Sequence, residues 1–219
     1  MEQTFNDHLR ERAVEEKGLF GFALWMFVET SAGIIRENMT LIIMRKNIIR
    51  IALVTACILL VPLVAMQFTE EVNWDLFDFA FMGTLLFGTG LAYELVARKA
   101  GAIAYRAAVG VALAAALLLV WVNGAVGIIG NGPVNLMYFG VLAVLVIGAA
   151  VARLEPQGMA RALFATALAQ ALVPVIALVI WKPDFSPGVL QVFGLNAFFV
   201  ILFVGSALLF RRASVSNPT

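Results

Sequence analysis

One histidine and one cysteine are all that 219 residues hold of the two side chains that most often bind metals or attack carbonyls. His8 sits in a polar N-terminal stretch, so a histidine-ligated haem, an intramembrane zinc site and a Ser-His pair each lack a ligand or a base. Cys57 has no second cysteine, which excludes an intramolecular disulfide. Charge is sparse as well: Asp, Glu, Lys and Arg make up 13% of the chain, about half the share of a soluble domain. There is no P-loop, no His-Glu-x-x-His and no long Lys/Arg block, and the net charge is only +1, so neither a cofactor nor nucleic acid is an expected partner.

What the chain does have is apolar length. Hydrophobic residues make up 62% and the mean hydropathy is +0.95, values of a chain that lives in a bilayer. A hydrocarbon core about 30 Å thick needs roughly 20 helical residues. Six stretches meet that length, at residues 49–68, 76–96, 107–129, 136–152, 162–181 and 189–210. The expected fold is therefore all-α: a polytopic membrane protein of six transmembrane helices, in three helical hairpins, preceded by an amphipathic interfacial helix. Residues 1–18 read as a polar cytoplasmic lead without a cleavable signal, 19–46 as the interfacial helix, 47–212 as the bundle and 213–219 as a cytoplasmic tail.

Loop charges orient these spans. Of 15 basic residues, all but Lys182 fall before or at the start of the first span, between the second and third, between the fourth and fifth, or after the last. The opposite loops hold Glu70 and Glu71, then no charge, then Lys182 alone. By the positive-inside bias both termini are cytoplasmic. Trp74, Trp121, Tyr138 and Trp181 fall near the outer span ends, where amphipathic rings favour the headgroup layer.

Within 19–46, Glu29, Gly33, Arg36 and Thr40 form one polar stripe at helical spacing, with Glu37 beside it and apolar residues around the rest. That pattern suits a helix lying in the interface plane, as an anchor or as a coupling element to a cytoplasmic partner; a re-entrant segment facing a polar cavity is the third reading. Arg50, Arg106 and Arg161 open the odd-numbered spans at spacings of 56 and 55 residues. Either three hairpins arose by duplication, or this is the spacing any six-span chain with short loops shows.

Polar side chains inside hydrocarbon are expensive and normally face the bundle interior. Asp78, Asn123, Tyr138, Gln170 and Asn196 could line an outward-facing cavity, with Glu94 as a gating or proton-carrying acid. The competing reading is interhelical hydrogen bonding, and for Glu94 an ion pair with Arg98 one turn on. Asp78 and Glu94 stand about four and a half turns apart on one helix, so they cannot meet as a catalytic acid pair and no enzyme is expected.

The stretches 121–130 (WVNGAVGIIG), 133–140 (PVNLMYFG), 158–167 (GMARALFATA) and 193–197 (FGLNA) resemble an uncharacterised family of bacterial multi-pass inner-membrane proteins with no assigned activity. The resemblance implies a bacterial inner membrane and carries over no functional residue. The leading expectation is a non-enzymatic integral membrane protein acting through helix contacts in assembly or regulation, as a homo-oligomer or with a membrane-protein partner in the lipid bilayer. The alternative is a small-solute permease or channel.

Overall fold

A computed structural model describes residue 42 and residues 44–97, 102–125, 127–129, 132–181 and 188–216. The polar lead and the stripe of Glu29, Arg36, Glu37 and Thr40 lie outside the described residues. The chain divides into two compact units, Met1–Arg50 and Ile51–Thr219, and the second holds the bundle from Ile51 onward.

The described residues form helices and connecting turns, with no strand. The helices are α1 (Met44–Ala65), α2 (Leu76–Ala97), α3 (Ile103–Ala125), α4 (Met137–Val151), α5 (Pro156–Ile176) and α6 (Val189–Ser216), and they give six segments long and apolar enough to cross a membrane, the fourth being Pro133–Val151 and the fifth Pro156–Ile180. A single 3-10 turn, Pro133–Leu136, leads into α4, and a π turn, Ala177–Trp181, extends α5. These helices are apolar all round, as segments solvated by acyl chains are.

The ends have local causes. Asp75 Oδ1 accepts the Asp78 backbone N–H at 2.9 Å and Asp78 Oδ2 accepts that of Asp75 at 3.0 Å, a reciprocal capping box that starts α2. Pro156 in the first turn of α5 follows the extended Glu155, so this helix begins six residues before the expected 162. Gly127, at φ 64°, donates its N–H to Asn123 O and closes α3 at Ala125, short of the expected 129. At the other extreme α6 runs on to Ser216, so the expected tail at 213–219 is helical over its described residues.

α4 ends in a Schellman turn. Leu154 N–H bonds to Ala149 O and Arg153 N–H to Ala150 O, and both Arg153 (φ 49°) and Leu154 (φ 63°) are left-handed. Arg153 occupies the position glycine normally takes, and its side chain is exposed. Arg153→Gly is therefore expected to stabilise the fold by about 0.5–1 kcal/mol, the left-handed penalty less the entropic cost of glycine. Reversible unfolding in mixed micelles checks this, and a loss of stability would contradict it.

α3, α6, α5 and α4 pack side by side in that order, α2 lies against α3, and α3 and α4 scarcely touch although consecutive. The expected hairpins are therefore unequal, because α6 inserts beside α3 where α4 would stand in a threefold bundle. The core of this arrangement holds Leu119, Leu163, Phe199, Phe203 and Phe210, each without accessible surface or nearly so. Association within lipid relies on close packing rather than on expulsion of water. Gly148 supplies one such contact: a Cβ there would stand 2.7 Å from Ala162 Cβ. α1 is packed differently. Asn47, Ile51, Thr55, Leu59, Pro62 and Ala65 form a half-buried stripe while the rest of the helix is exposed. Leu59 meets α2 at Gly83 and Ile51 meets it at Gly90, where a Cβ would approach Ile51 Cγ2 to 2.6 Å.

Candidate functional site

The polar residues singled out in the sequence fall in three places. The deepest is a cluster from three helices: Tyr138 in the first turn of α4, Gln170 in α5 and Asn196 in α6 are 1%, 0% and 2% exposed. Tyr138 Oη–H donates to Asn196 Oδ1 at 3.1 Å, and Gln170 Nε2–H donates to the same oxygen at 2.9 Å. Asn196 Nδ2–H in turn donates to Val192 O at 2.8 Å on its own helix. One amide oxygen thus holds donors from two other helices. Tyr138 is accordingly a buried hydrogen-bonding residue, and not the headgroup-layer ring expected from its place in the sequence.

Gln170 Oε1 is buried and has no hydrogen-bond partner among the described residues. One turn on, Pro174 has no N–H to give to the Gln170 carbonyl, so the backbone acceptor beside that side chain also loses its usual helical donor. The π turn follows directly, as such irregularities tend to follow a disturbed hydrogen-bond ladder.

The second group stands where α3 ends. Asn135 Oδ1 accepts the N–H groups of Ile128 (3.1 Å) and Ile129 (2.9 Å), both almost fully buried, and replaces the helical bonds that the turn at Gly127 removes. Asn123 Nδ2–H donates to Asn135 O at 3.3 Å, while Asn123 Oδ1 is buried without a partner among the described residues. A cavity of about 560 Å³ lies here, lined by Asn123, Asn135, Phe81, Phe139 and neighbouring glycines.

The third group is on α2. Asp78 is the capping residue described above, and it also lines a cavity of about 460 Å³ with Trp74, Phe77, Phe81, Met82 and Trp121. Glu94 is half-buried near the far end of α2, roughly 24 Å along the axis from Asp78, and Arg98 lies outside the described residues. Thr84 and Thr89, which lie between the two acids on α2, donate to Ala80 O and Leu85 O on their own helix.

Two ends of the bundle are chemically distinct. At the basic end Tyr105 donates to Leu154 O at 2.6 Å, and its ring meets Phe210 edge-on at 5.0 Å; Arg106, Arg153 and Arg211 adjoin these residues in the chain. At the acidic end lie Glu70, Glu71, Asp75 and Asp78 with Trp74 and Trp121.

Two buried hydroxyls were not singled out in the sequence. Ser206, fully buried on α6, donates to Ala108 O on α3 at 2.8 Å and ties the two helices together. Thr166, also fully buried, donates to Ala162 O within α5. The neighbouring Gly205 and Ala207 marked Ser206 as part of a small-residue patch, the one signal available for it. No protein-family model, curated protein or solved structure matches the chain.

Proposed function

We propose that the chain is a multi-pass protein of a bacterial inner membrane, with both termini and the basic end of the bundle on the cytoplasmic side. In this reading it performs no catalysis and acts through helix contacts in the assembly or regulation of a membrane complex, as a homo-oligomer. The observation that carries the reading is α1. None of its most apolar stretch is buried, against about a third of the corresponding stretch in α3, α5 and α6. Leu53 and Val61 are 61% and 68% exposed, and Cys57 is exposed too. Residues Ile103–Ser216 bury their own core around Leu119, Leu163 and Phe203, which leaves α1 free to present its apolar face to a second copy.

Cross-linking in native membranes tests this, with Cys57 as the first probe and single cysteines at Leu53, Val54, Leu60, Val61 and Val64 in a Cys57→Ala background. The expected result is dimer formation that rises and falls every three to four positions, the mark of one helix face against another. A product of a different mass would replace the second copy by another membrane protein. Absence of any product at all six positions, with a monomeric mass in nanodiscs, would refute contact through α1.

A second reading, a small-solute permease or channel with an outward-facing polar cavity, is favoured by the cavities that Asp78 and Asn123 line. Weighing against it is the mutual hydrogen bonding of Tyr138, Gln170 and Asn196, which leaves those residues no accessible surface.

A further inference from the structure

Beside the cavity at Asp78 lies a second, of about 510 Å³, which shares Trp74, Met82 and Trp121 with it and is lined from α1, α2 and α3 by residues such as Leu59, Pro62 and Leu117. Every described residue lining this second part is apolar. Each compartment alone is within the roughly 300–1,000 Å³ of small-molecule sites. An apolar groove thus borders a chamber holding one charged group.

The chamber selects the sign of what enters. Among the described residues Asp78 is its only ionisable lining residue, and no described Lys, Arg or His lines either compartment. Of the roughly four lone-pair positions of that carboxylate, the capping bond to Asp75 N–H uses one. Around it stand Trp74, Trp121 and the stacked pair Phe77 and Phe81, whose centroids are 6.2 Å apart. Aromatic faces beside a carboxylate attract ammonium groups, through the ring quadrupole and through direct charge. The connecting segment adds Glu70, Glu71 and Asp75 without a basic residue, which repels phosphate-bearing heads.

We propose that this site binds a lipophilic cation, with its ammonium head at Asp78 among Trp74, Phe81 and Trp121 and its single apolar tail in the groove between α1, α2 and α3. The occupant is a small amphiphile that reaches the site from the bilayer, and not a phospholipid of the annulus. One copy supplies every residue that the site uses, although Val61 both lines the groove and lies on the α1 face proposed for self-association.

Dodecyltrimethylammonium is the probe, measured by radioligand binding to the full chain in nanodiscs with empty nanodiscs subtracted. The expected result is saturable binding that tetramethylammonium, which has no tail, and dodecyl sulfate, which has the wrong charge, fail to displace. Asp78→Asn keeps an oxygen for the cap but removes the charge, and is expected to weaken binding about tenfold or more, as loss of a charge-assisted contact does. Leu117→Trp fills the tail groove and is expected to abolish binding; both variants must keep the parent's unfolding midpoint. Equal affinity in Asp78→Asn, or displacement by dodecyl sulfate, would overturn the cation site. So would a co-purified phospholipid, seen by native mass spectrometry, that Leu117→Trp removes and Asp78→Asn leaves in place.

Discussion

Asn196→Leu is expected to destabilise the bundle by about 2–4 kcal/mol, more than any other single polar-to-apolar substitution in it. Its Oδ1 accepts from both Tyr138 and Gln170, so the leucine leaves two buried donors on two other helices without an acceptor. Each orphaned donor costs roughly 1–3 kcal/mol, and hydrogen bonds between membrane helices fall toward the lower part of that range. Size does not rescue the site, because Asn196 is 2% exposed and the donors have no water to turn to. The triple variant Tyr138→Phe, Gln170→Leu, Asn196→Leu is expected to recover at least half of the loss, since removing both sides of a buried hydrogen bond is far cheaper than removing one. Unfolding in mixed micelles of the single and triple variants measures this. A loss under about 0.5 kcal/mol for Asn196→Leu would mean that these contacts do not hold the helices together.

The second large effect is steric. Gly148→Ala places a methyl 2.7 Å from Ala162 Cβ, closer than a Cβ comes to another atom in real structures. Ala162 cannot rotate away, because its Cβ is set by the backbone of α5. The two helices must separate along their contact, and overpacking of this kind costs about 1–3 kcal/mol. The expected signature is reciprocity: Gly148→Ala combined with Ala162→Gly restores most of the stability, because one methyl is moved from one helix to the other across the same gap. Gly148→Leu is expected to lose more than Gly148→Ala and to gain little from Ala162→Gly, since a leucine exceeds the space of one methyl. Additive effects in the double variant would show that Gly148 and Ala162 do not share a contact.

Much of the fold was legible in the chain, and the misplaced boundaries show why the rest was not. Span number follows from apolar length, and all six expected spans overlap helices of the structure. Their ends depended on single residues whose effect is geometric: Gly127 stops α3, while Pro156 starts α5 early. Hydropathy is insensitive to both, because the residues on either side are equally apolar. Regular loop spacing suggested equivalent hairpins, yet spacing carries no information on which helix lies beside which, and α6 stands beside α3.

The candidate site was legible as a set of residues and not as an arrangement. Asp78, Asn123, Tyr138, Gln170 and Asn196 stood out because polar groups in hydrocarbon are rare. That Tyr138, Gln170 and Asn196 meet on one oxygen, that Asn123 turns to Asn135, and that Asp78 caps α2 beside two tryptophans all depend on helix rotation. The apolar groove was illegible, since Leu59, Pro62 and Leu117 differ in nothing from their lipid-facing neighbours until three helices enclose them.

The amino-acid sequence by itself determined that the described chain is helical, with six segments long and apolar enough to cross a membrane, because the cost of an unsatisfied backbone in lipid leaves an apolar run of about 20 residues no conformation but a helix. Only the tertiary structure decided which helices are neighbours and which polar atoms are shared. Inside a bilayer those choices turn on methyl-sized contacts such as Gly148 with Ala162 and on single acceptors such as Asn196 Oδ1, which have no counterpart in hydropathy.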